Sequence, residues 1–391
     1  MMRNLEEKVA LPERLVDVNP FLVMDVLDRA KELERQGKEI IHLEIGEPDF
    51  DTPQKIRQAG IDALRSGETH YTHSMGIYEL RQAVCDWYRK QYRVKLDPEQ
   101  VLITMGTSPG LLLVLSVLAG PGDEVLLADP GYACYPNFIR YLGAKPVFVQ
   151  IHEEQRFQLT ADQVKRRLSP RAKALLINSP SNPTGTLLEP EVMADLARLG
   201  IPIISDEIYH GLVYTGRACS VLEFTSNAFV LNGFSKLFAM TGWRLGYVIS
   251  PPAYVRTLQK LQQNFFISPA AFVQRAGIVA LTEDHPELEE MRRIYDIRRR
   301  EMVRLLREAG FGVTAEPTGA FYVFANAKAF SRRSLEFAFE LLENTGVAVA
   351  PGVDFGPNGE GYLRFSYASS VENIRKGIGR IARYLAERRK N

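Results

Sequence analysis

The sequence predicts an α/β protein: a large region built on a mostly parallel sheet between helices, joined to a smaller α+β region. Three observations lead there. From about residue 101 to 249, short β-rich runs recur between helical patterns. Several of these runs are apolar without alternation, as strands covered on both faces must be. After Pro251 the texture turns to long, charged, amphipathic helical stretches.

The strand-like runs of the first region are residues 101–104, 124–128, 174–178, 201–205, 229–231 and 245–250. Residues 111–119 are the strongest apolar stretch, about half of the roughly 20 residues needed to cross a bilayer, and are read as a buried helix. The second region opens with a charged helix running through 290–308. It continues with a strand at 320–324, a helix near 335–343, strands at 347–350 and 362–367, and a closing helix from Val371. The change of texture divides the chain into a large domain, residues 44–285, and a small one made of 1–43 and 286–391.

A chain of 391 residues exceeds the usual single core. Its 46% apolar and 24% charged residues exclude disordered and collagen-like classes. The 48 basic residues nearly cancel the 47 acidic ones, so no bulk field collects nucleic acid or an anionic membrane, and any anion needs a local site. Cys85, Cys134 and Cys219 are odd in number and show no C-x-x-C spacing. That pattern argues against a disulfide framework and a zinc site, so no metal is expected and a reducing cytoplasm fits. Residues 1–15 mix charges and lack the apolar core of a signal peptide. The basic tail around Arg388 and Lys390 reads as a solvated helix end.

Polar clusters follow the ends of the apolar runs, where open α/β sheets bind ligands. The first is Thr104-Met105-Gly106-Thr107-Ser108-Pro109-Gly110. Ser108 is a natural N-cap and Pro109 a natural first helical residue, and free N–H groups there suit a phosphate. An ordinary capped helix has the same signature. The second, Asn178-Ser179-Pro180-Ser181-Asn182-Pro183-Thr184-Gly185, is a proline-stiffened loop that holds Asn182 out to hydrogen-bond, or a plain turn. The third, Ser205-Asp206-Glu207-Ile208-Tyr209, sets a carboxylate and a phenol at a strand mouth. From spacing alone, Asp206 as a helix cap is the simpler reading.

The fourth cluster runs from Leu231-Asn232-Gly233-Phe234-Ser235-Lys236 to Met240-Thr241-Gly242-Trp243-Arg244-Leu245-Gly246-Tyr247. A lysine in an apolar, glycine-punctuated stretch loses solvation when charged, which frees its amine as a nucleophile; surface exposure is the alternative. Arg244 offers a fixed fork for phosphate. The fifth, Tyr362-Leu363-Arg364-Phe365-Ser366, places Arg364 on the face opposite Leu363 and Phe365. Such an arginine suits bidentate capture of a carboxylate, and an ordinary salt bridge accounts for it equally well.

Together these clusters resemble the class I aminotransferases of the aspartate aminotransferase superfamily, pyridoxal-phosphate (PLP) enzymes of fold type I. The resemblance also rests on Ile45-Gly46-Glu47-Pro48-Asp49-Phe50, on Tyr71-Thr72-His73-Ser74-Met75-Gly76-Ile77-Tyr78-Glu79-Leu80-Arg81 and on Pro351-Gly352, all in the family's order. It implies a mostly parallel seven-stranded sheet and transfer of an amino group from an L-amino acid to a 2-oxo acid. By it, Lys236 forms the Schiff base with PLP and shuttles the proton through quinonoid and ketimine intermediates. Asp206 would pair with the pyridine nitrogen, Asn182 and Tyr209 would hydrogen-bond the ring hydroxyl oxygen, and Tyr132 would stack on the ring. The phosphate would be held by the Gly106 turn, Thr107, Ser108, Ser235 and Arg244, with Tyr71 arriving from the second subunit of a homodimer. Arg364 would grip the substrate α-carboxylate, with Gly46 and Asn182 completing that pocket.

The chain departs from the family pattern at Gly233, where many members carry a phosphate-binding serine three residues before the lysine. Ser235 is expected to compensate in part. Within PLP chemistry the alternative is a β-lyase of the C–S lyase type, because the same lysine can serve expulsion of a β-substituent. A ligand-sensing domain of a transcription regulator is the rival from another class; it lacks support because no helix-turn-helix module precedes the pattern. No second arginine is placed by the sequence for a distal carboxylate, so alanine, aromatic, branched and aspartate donors are all open, with 2-oxoglutarate the generic acceptor.

Overall fold

The computed structural model describes residues 13–388; the expectations on residues 1–12 and on Lys390 lie outside the described residues. A short strand, β1 (Ile41–His42), precedes the main sheet. The seven main strands are β2 (Val101–Thr104), β3 (Glu124–Asp129), β4 (Lys145–Gln150), β5 (Ala172–Asn178), β6 (Ile203–Asp206), β7 (Ala228–Gly233) and β8 (Gly246–Ile249). Across the sheet they run β2-β8-β7-β6-β5-β3-β4. β8 is antiparallel to both neighbours, β7 and β2, whereas β7, β6, β5, β3 and β4 pair in parallel.

The non-alternating runs have a direct cause. Ile203, Val230 and Ile249 enter one core with Leu80 and Val84, while Ile204, Phe229, Leu231 and Val248 enter another with Leu113, Leu115 and Ile139. Neighbouring residues of one strand therefore bury on opposite faces, each large side chain contributing about 1.5–3 kcal/mol by leaving water. β4 escaped the sequence reading because it pairs with β3 alone and lies at the sheet edge. An edge strand tolerates Pro146 and keeps Lys145 and Gln150 exposed, so it carries no continuous apolar run.

The second region adds β9 (Tyr322–Asn326), β10 (Val347–Ala348), β11 (Ala350–Pro351) and β12 (Tyr362–Ser366). β11, β12 and β9 form an antiparallel sheet, and β10 pairs in parallel with β1. The single strand expected at 347–350 is thus two, because the chain changes sheets at Val349. The strand expected from residue 320 begins at Tyr322, since Ala320 sits at φ +54°, outside extended geometry. Helices Leu22–Arg35, Pro286–Glu308, Ser334–Thr345 and Val371–Arg388 cover this part. Their Val26, Leu33, Met302, Leu306, Phe337, Leu341, Ile378 and Leu385 share one core with Ile41, Val323, Leu363 and Phe365. Among the described residues, no helix is long and apolar enough to cross a membrane.

Candidate active site

The carboxyl ends of β5, β6 and β7 open onto a cavity of about 550 Å³. Gly46, Thr107, Ser108, Tyr132, Asn182, Asp206, Tyr209, Ser235, Lys236, Arg244 and Arg364, drawn from segments more than 300 residues apart, all line it. Two expected site residues do not. Gly106 lies behind Arg244, and Tyr71 is 82% exposed, away from the cavity of its own chain.

Asp206 closes β6 and is buried. It caps no helix: its Oδ1 accepts the Ile208 N–H at 3.1 Å in a local turn, and its Oδ2 accepts the Tyr135 hydroxyl at 2.7 Å. Burial pushes its carboxyl up to about 6, against the pull of those hydrogen bonds and of the Lys236 charge. The next residue, Glu207, points into the body. It accepts from Tyr88 Oη at 3.0 Å, Ser220 Oγ at 3.0 Å and the Val221 N–H at 2.9 Å, so two segments fix the end of β6.

Lys236 follows β7, and its Nζ donates to the Gly46 carbonyl at 2.6 Å. Burial lowers its pKa to about 8, with Arg364 and Arg244 pushing the same way and Glu47 and Asp206 opposing. The alternative of a solvated surface lysine is thereby removed. At pH 7 about a tenth of the amine is then unprotonated, the state a nucleophile or base requires.

At the other end of the cavity the helix Thr107–Leu118 begins. Its cap is Gly106, at φ +93°, and not Ser108, which falls inside the first turn together with Pro109. The left-handed turn at Gly106 starts the helix two residues earlier than the sequence signs suggest. Free N–H groups at that terminus, with Arg244 beside them, form an anion cradle. A Cβ at Gly106 would fall 2.6 Å from Arg244 Nη2, so glycine is what admits the guanidinium.

Close backbone contact also explains Gly233. A Cβ there would stand 2.9 Å from Gly246 Cα and 2.9 Å from the Leu245 carbonyl oxygen, while one on Gly246 would meet Gly106 C at 2.8 Å. Gly106, Gly246 and Gly233 thus bring the helix terminus against β8 and β7. Restoring the family serine with Gly233→Ser is expected to destabilise the fold by about 1–3 kcal/mol, because the atoms in the way are backbone. A urea midpoint unchanged from wild type would contradict that packing account.

Arg364, on β12, is buried and enters the cavity between the Tyr322 and Phe355 rings, 4.4 and 4.9 Å from their centroids. Its Nη1 donates to Asn182 Oδ1 at 3.0 Å and its Nη2 to the Glu44 carbonyl. Among the described residues it forms no salt bridge, and its Nε has no partner. A buried guanidinium without a counter-charge is costly unless a ligand carboxylate provides one.

Sequence reasoning missed Tyr135, Tyr322 and an apolar wall. Tyr322 Oη lies 2.8 Å from Tyr209 Oη, and Phe21, Val23, Met24 and Leu27 from the start of the helix Leu22–Arg35 line the cavity. Tyr322 carried a faint signal, since it lies within the strand-like run 320–324; Tyr135 carried none, because its partner Asp206 is 71 positions away.

The family model for aminotransferases of classes I and II matches residues 38–381. A (5-formylfuran-3-yl)methyl phosphate transaminase of Methanocaldococcus jannaschii is 46% identical over 96% of this chain and 99% of its own length. Aromatic-amino-acid aminotransferase 2 of Thermococcus litoralis is 37% identical over 97% of this chain and all of its own. Among solved structures, the aspartate aminotransferase of Thermus thermophilus with maleate superposes with a TM-score of 0.92 at 36% identity, covering 96% of this chain and 99% of that one. The chain belongs to the class I aminotransferases of the aspartate aminotransferase superfamily, and aminotransfer is its function.

Proposed function

We propose that this aminotransferase uses pyridoxal 5′-phosphate to move the amino group of an L-amino acid to a 2-oxo acid, with Lys236 carrying the cofactor and moving the proton. The observation that carries the reading is one cavity holding a buried amine with a pKa of about 8, a buried carboxylate and an anion cradle. These groups fit the cofactor. The helix terminus at Thr107 and Ser108, with Ser235 and Arg244, would hold its phosphate, and Tyr132 would cover the ring.

Bound PLP supplies an aldehyde for the amine and a ring that accepts the electron pair left at the substrate Cα. Lys236 Nζ, when unprotonated, takes the proton from Cα and can return it. Asp206 holds a proton on the ring nitrogen, its buried carboxylate being the counter-charge. Asn182 has its Oδ1 engaged by Arg364, which leaves Nδ2 to donate to the ring hydroxyl oxygen beside the Tyr209 hydroxyl. Arg364 orients the donor through its α-carboxylate, next to Gly46. Movement of the small domain, residues 1–43 and 286–391, against the large one, 44–285, would exclude water during proton transfer.

Tyr71 is proposed to reach the phosphate of a second copy in a homodimer, a role supported by its exposure outside its own cavity. The three free cysteines support a cytoplasmic enzyme of amino acid metabolism.

Borohydride reduction of the PLP-loaded protein followed by peptide mapping tests the assignment; a label on any lysine other than Lys236 refutes it. The pH dependence has a defined sign. Only the free amine attacks, so covalent loading of the apoprotein should rise with pH and level off above about 8. Below that, the rate should fall about tenfold per pH unit as protonation removes the nucleophile. Stopped-flow absorbance across pH 6–9 reads it, and a rate that falls as pH rises would contradict the assignment.

A further inference from the structure

Building on the roles of Lys236 and Arg364 above, we propose that Asp354 is a positioning residue that fixes the wall met by the donor's side chain, and that this wall selects bulky apolar donors. The helix Leu22–Arg35 starts at Phe21 with no side-chain cap of its own. Its first free N–H groups are taken from far along the chain: Asp354 Oδ1 accepts from Leu22 at 3.0 Å and Oδ2 from Val23 at 3.1 Å. The turn so capped carries Phe21, Val23, Met24 and Leu27, the apolar wall of the cavity.

Asp354 lies in the 3₁₀ turn Gly352–Phe355, and the Phe355 ring lies 4.9 Å from the Arg364 guanidinium. One four-residue turn therefore touches both the anchor for the α-carboxylate and the start of the wall. The distance from carboxylate to wall, which a donor side chain has to span, is set through that turn. The wall's chemistry settles what it accepts. Lys236, Arg244 and Arg364 are the cations lining the cavity among the described residues, and each already has a partner in the proposed chemistry. Among the described residues of this protomer, no fourth cation faces the wall to receive a distal carboxylate. An apolar wall discriminates by size, one methylene being worth about 10–200-fold in such pockets.

The test uses the PLP-loaded enzyme in single-turnover absorbance measurements with phenylalanine, alanine and aspartate. Wild type is expected to favour phenylalanine. Uncapping the helix with Asp354→Ala should lower the ratio of kcat/KM for phenylalanine to that for alanine about tenfold, through KM for phenylalanine, because alanine is too short to reach the wall, whereas loss of the Asp354 charge acting on Arg364 bears on both donors alike. Asp354→Asn keeps one acceptor oxygen and the fold, and should fall between the two. Equal losses on phenylalanine and alanine, an unchanged ratio in both variants, or a wild type that prefers aspartate or alanine each overturn the proposal. A wild type that converts none of the three overturns the Lys236 reading first, and this inference with it.

Discussion

Lys236→Ala should yield a folded protein that holds pyridoxal phosphate only reversibly and exchanges the donor's Cα proton slower by several orders of magnitude. Among the described residues lining the cavity, the amine is the group whose pKa, about 8, suits both nucleophile and base near neutral pH. Asp206 is a carboxylate held up to about 6 by burial and already accepts from Tyr135 and Ile208, and the Tyr209 phenol is pushed well above its ordinary range by burial. Neither can take a Cα proton at a comparable rate. A positioned acid–base group contributes roughly 10²–10⁴-fold, and loss of the covalent anchor adds to that. The fold should persist, because Nζ makes one hydrogen bond, to the Gly46 carbonyl, and removing a poorly solvated amine relieves a desolvation cost. Mass spectrometry after borohydride should find no added cofactor, and deuterium exchange at Cα should be near background. Turnover close to wild type would end the assignment.

How much of this was legible before the structure follows from where the side chains sit. β5 to β8 announce themselves because they are covered on both faces, and a strand so placed has no polar face to interrupt its pattern. β4, with one neighbour and a proline, offers no such run. Lys236, Asp206, Asn182 and Arg364 stand out because polar residues at the mouths of apolar strands are costly to bury without a use. What those residues touch is another matter. Tyr135 meets Asp206, Tyr322 meets Tyr209, and Asp354 caps a helix 331 and 332 positions earlier. Contacts at that separation depend on the packed fold and leave no local periodicity.

Local rules also ranked some alternatives wrongly. Ser108 and Pro109 satisfy the preferences for a helix start, yet a left-handed glycine two residues before Ser108 begins the helix and leaves the serine in its first turn. Asp206 has the sequence context of a cap, yet no helix follows it. For Arg364 the sequence left a salt bridge and a ligand carboxylate equally open, and what separates them is that no carboxylate among the described residues comes within salt-bridge distance, Asp354 acting on the guanidinium only from further off. Gly233 looked like a missing phosphate ligand; the backbone of Leu245 and Gly246 shows that a side chain has no room there.

Arg364→Ala should raise KM for the amino donor by about 10²–10³-fold and leave the cofactor's absorbance in place. Truncating one member of a buried, hydrogen-bonded charge pair costs about 2–5 kcal/mol, and the pair in question forms only when the donor's carboxylate arrives. The free enzyme should feel little of this. Its Arg364 has no carboxylate in salt-bridge contact among the described residues, Asp354 acting on it only from a distance, so deletion removes a desolvated cation along with the hydrogen bonds to Asn182 Oδ1 and the Glu44 carbonyl, and the two effects oppose each other. The thermal midpoint of the cofactor-loaded protein is expected to move by only a few degrees. Arg364→Lys should recover a small part of the loss, because an ammonium keeps the charge but cannot span two carboxylate oxygens from between the rings of Tyr322 and Phe355. Loss of the cofactor's absorbance in either variant would instead mean that this arginine serves the cofactor, and the donor's carboxylate would then need another partner in a cavity whose remaining cations, among the described residues, are Lys236 and Arg244.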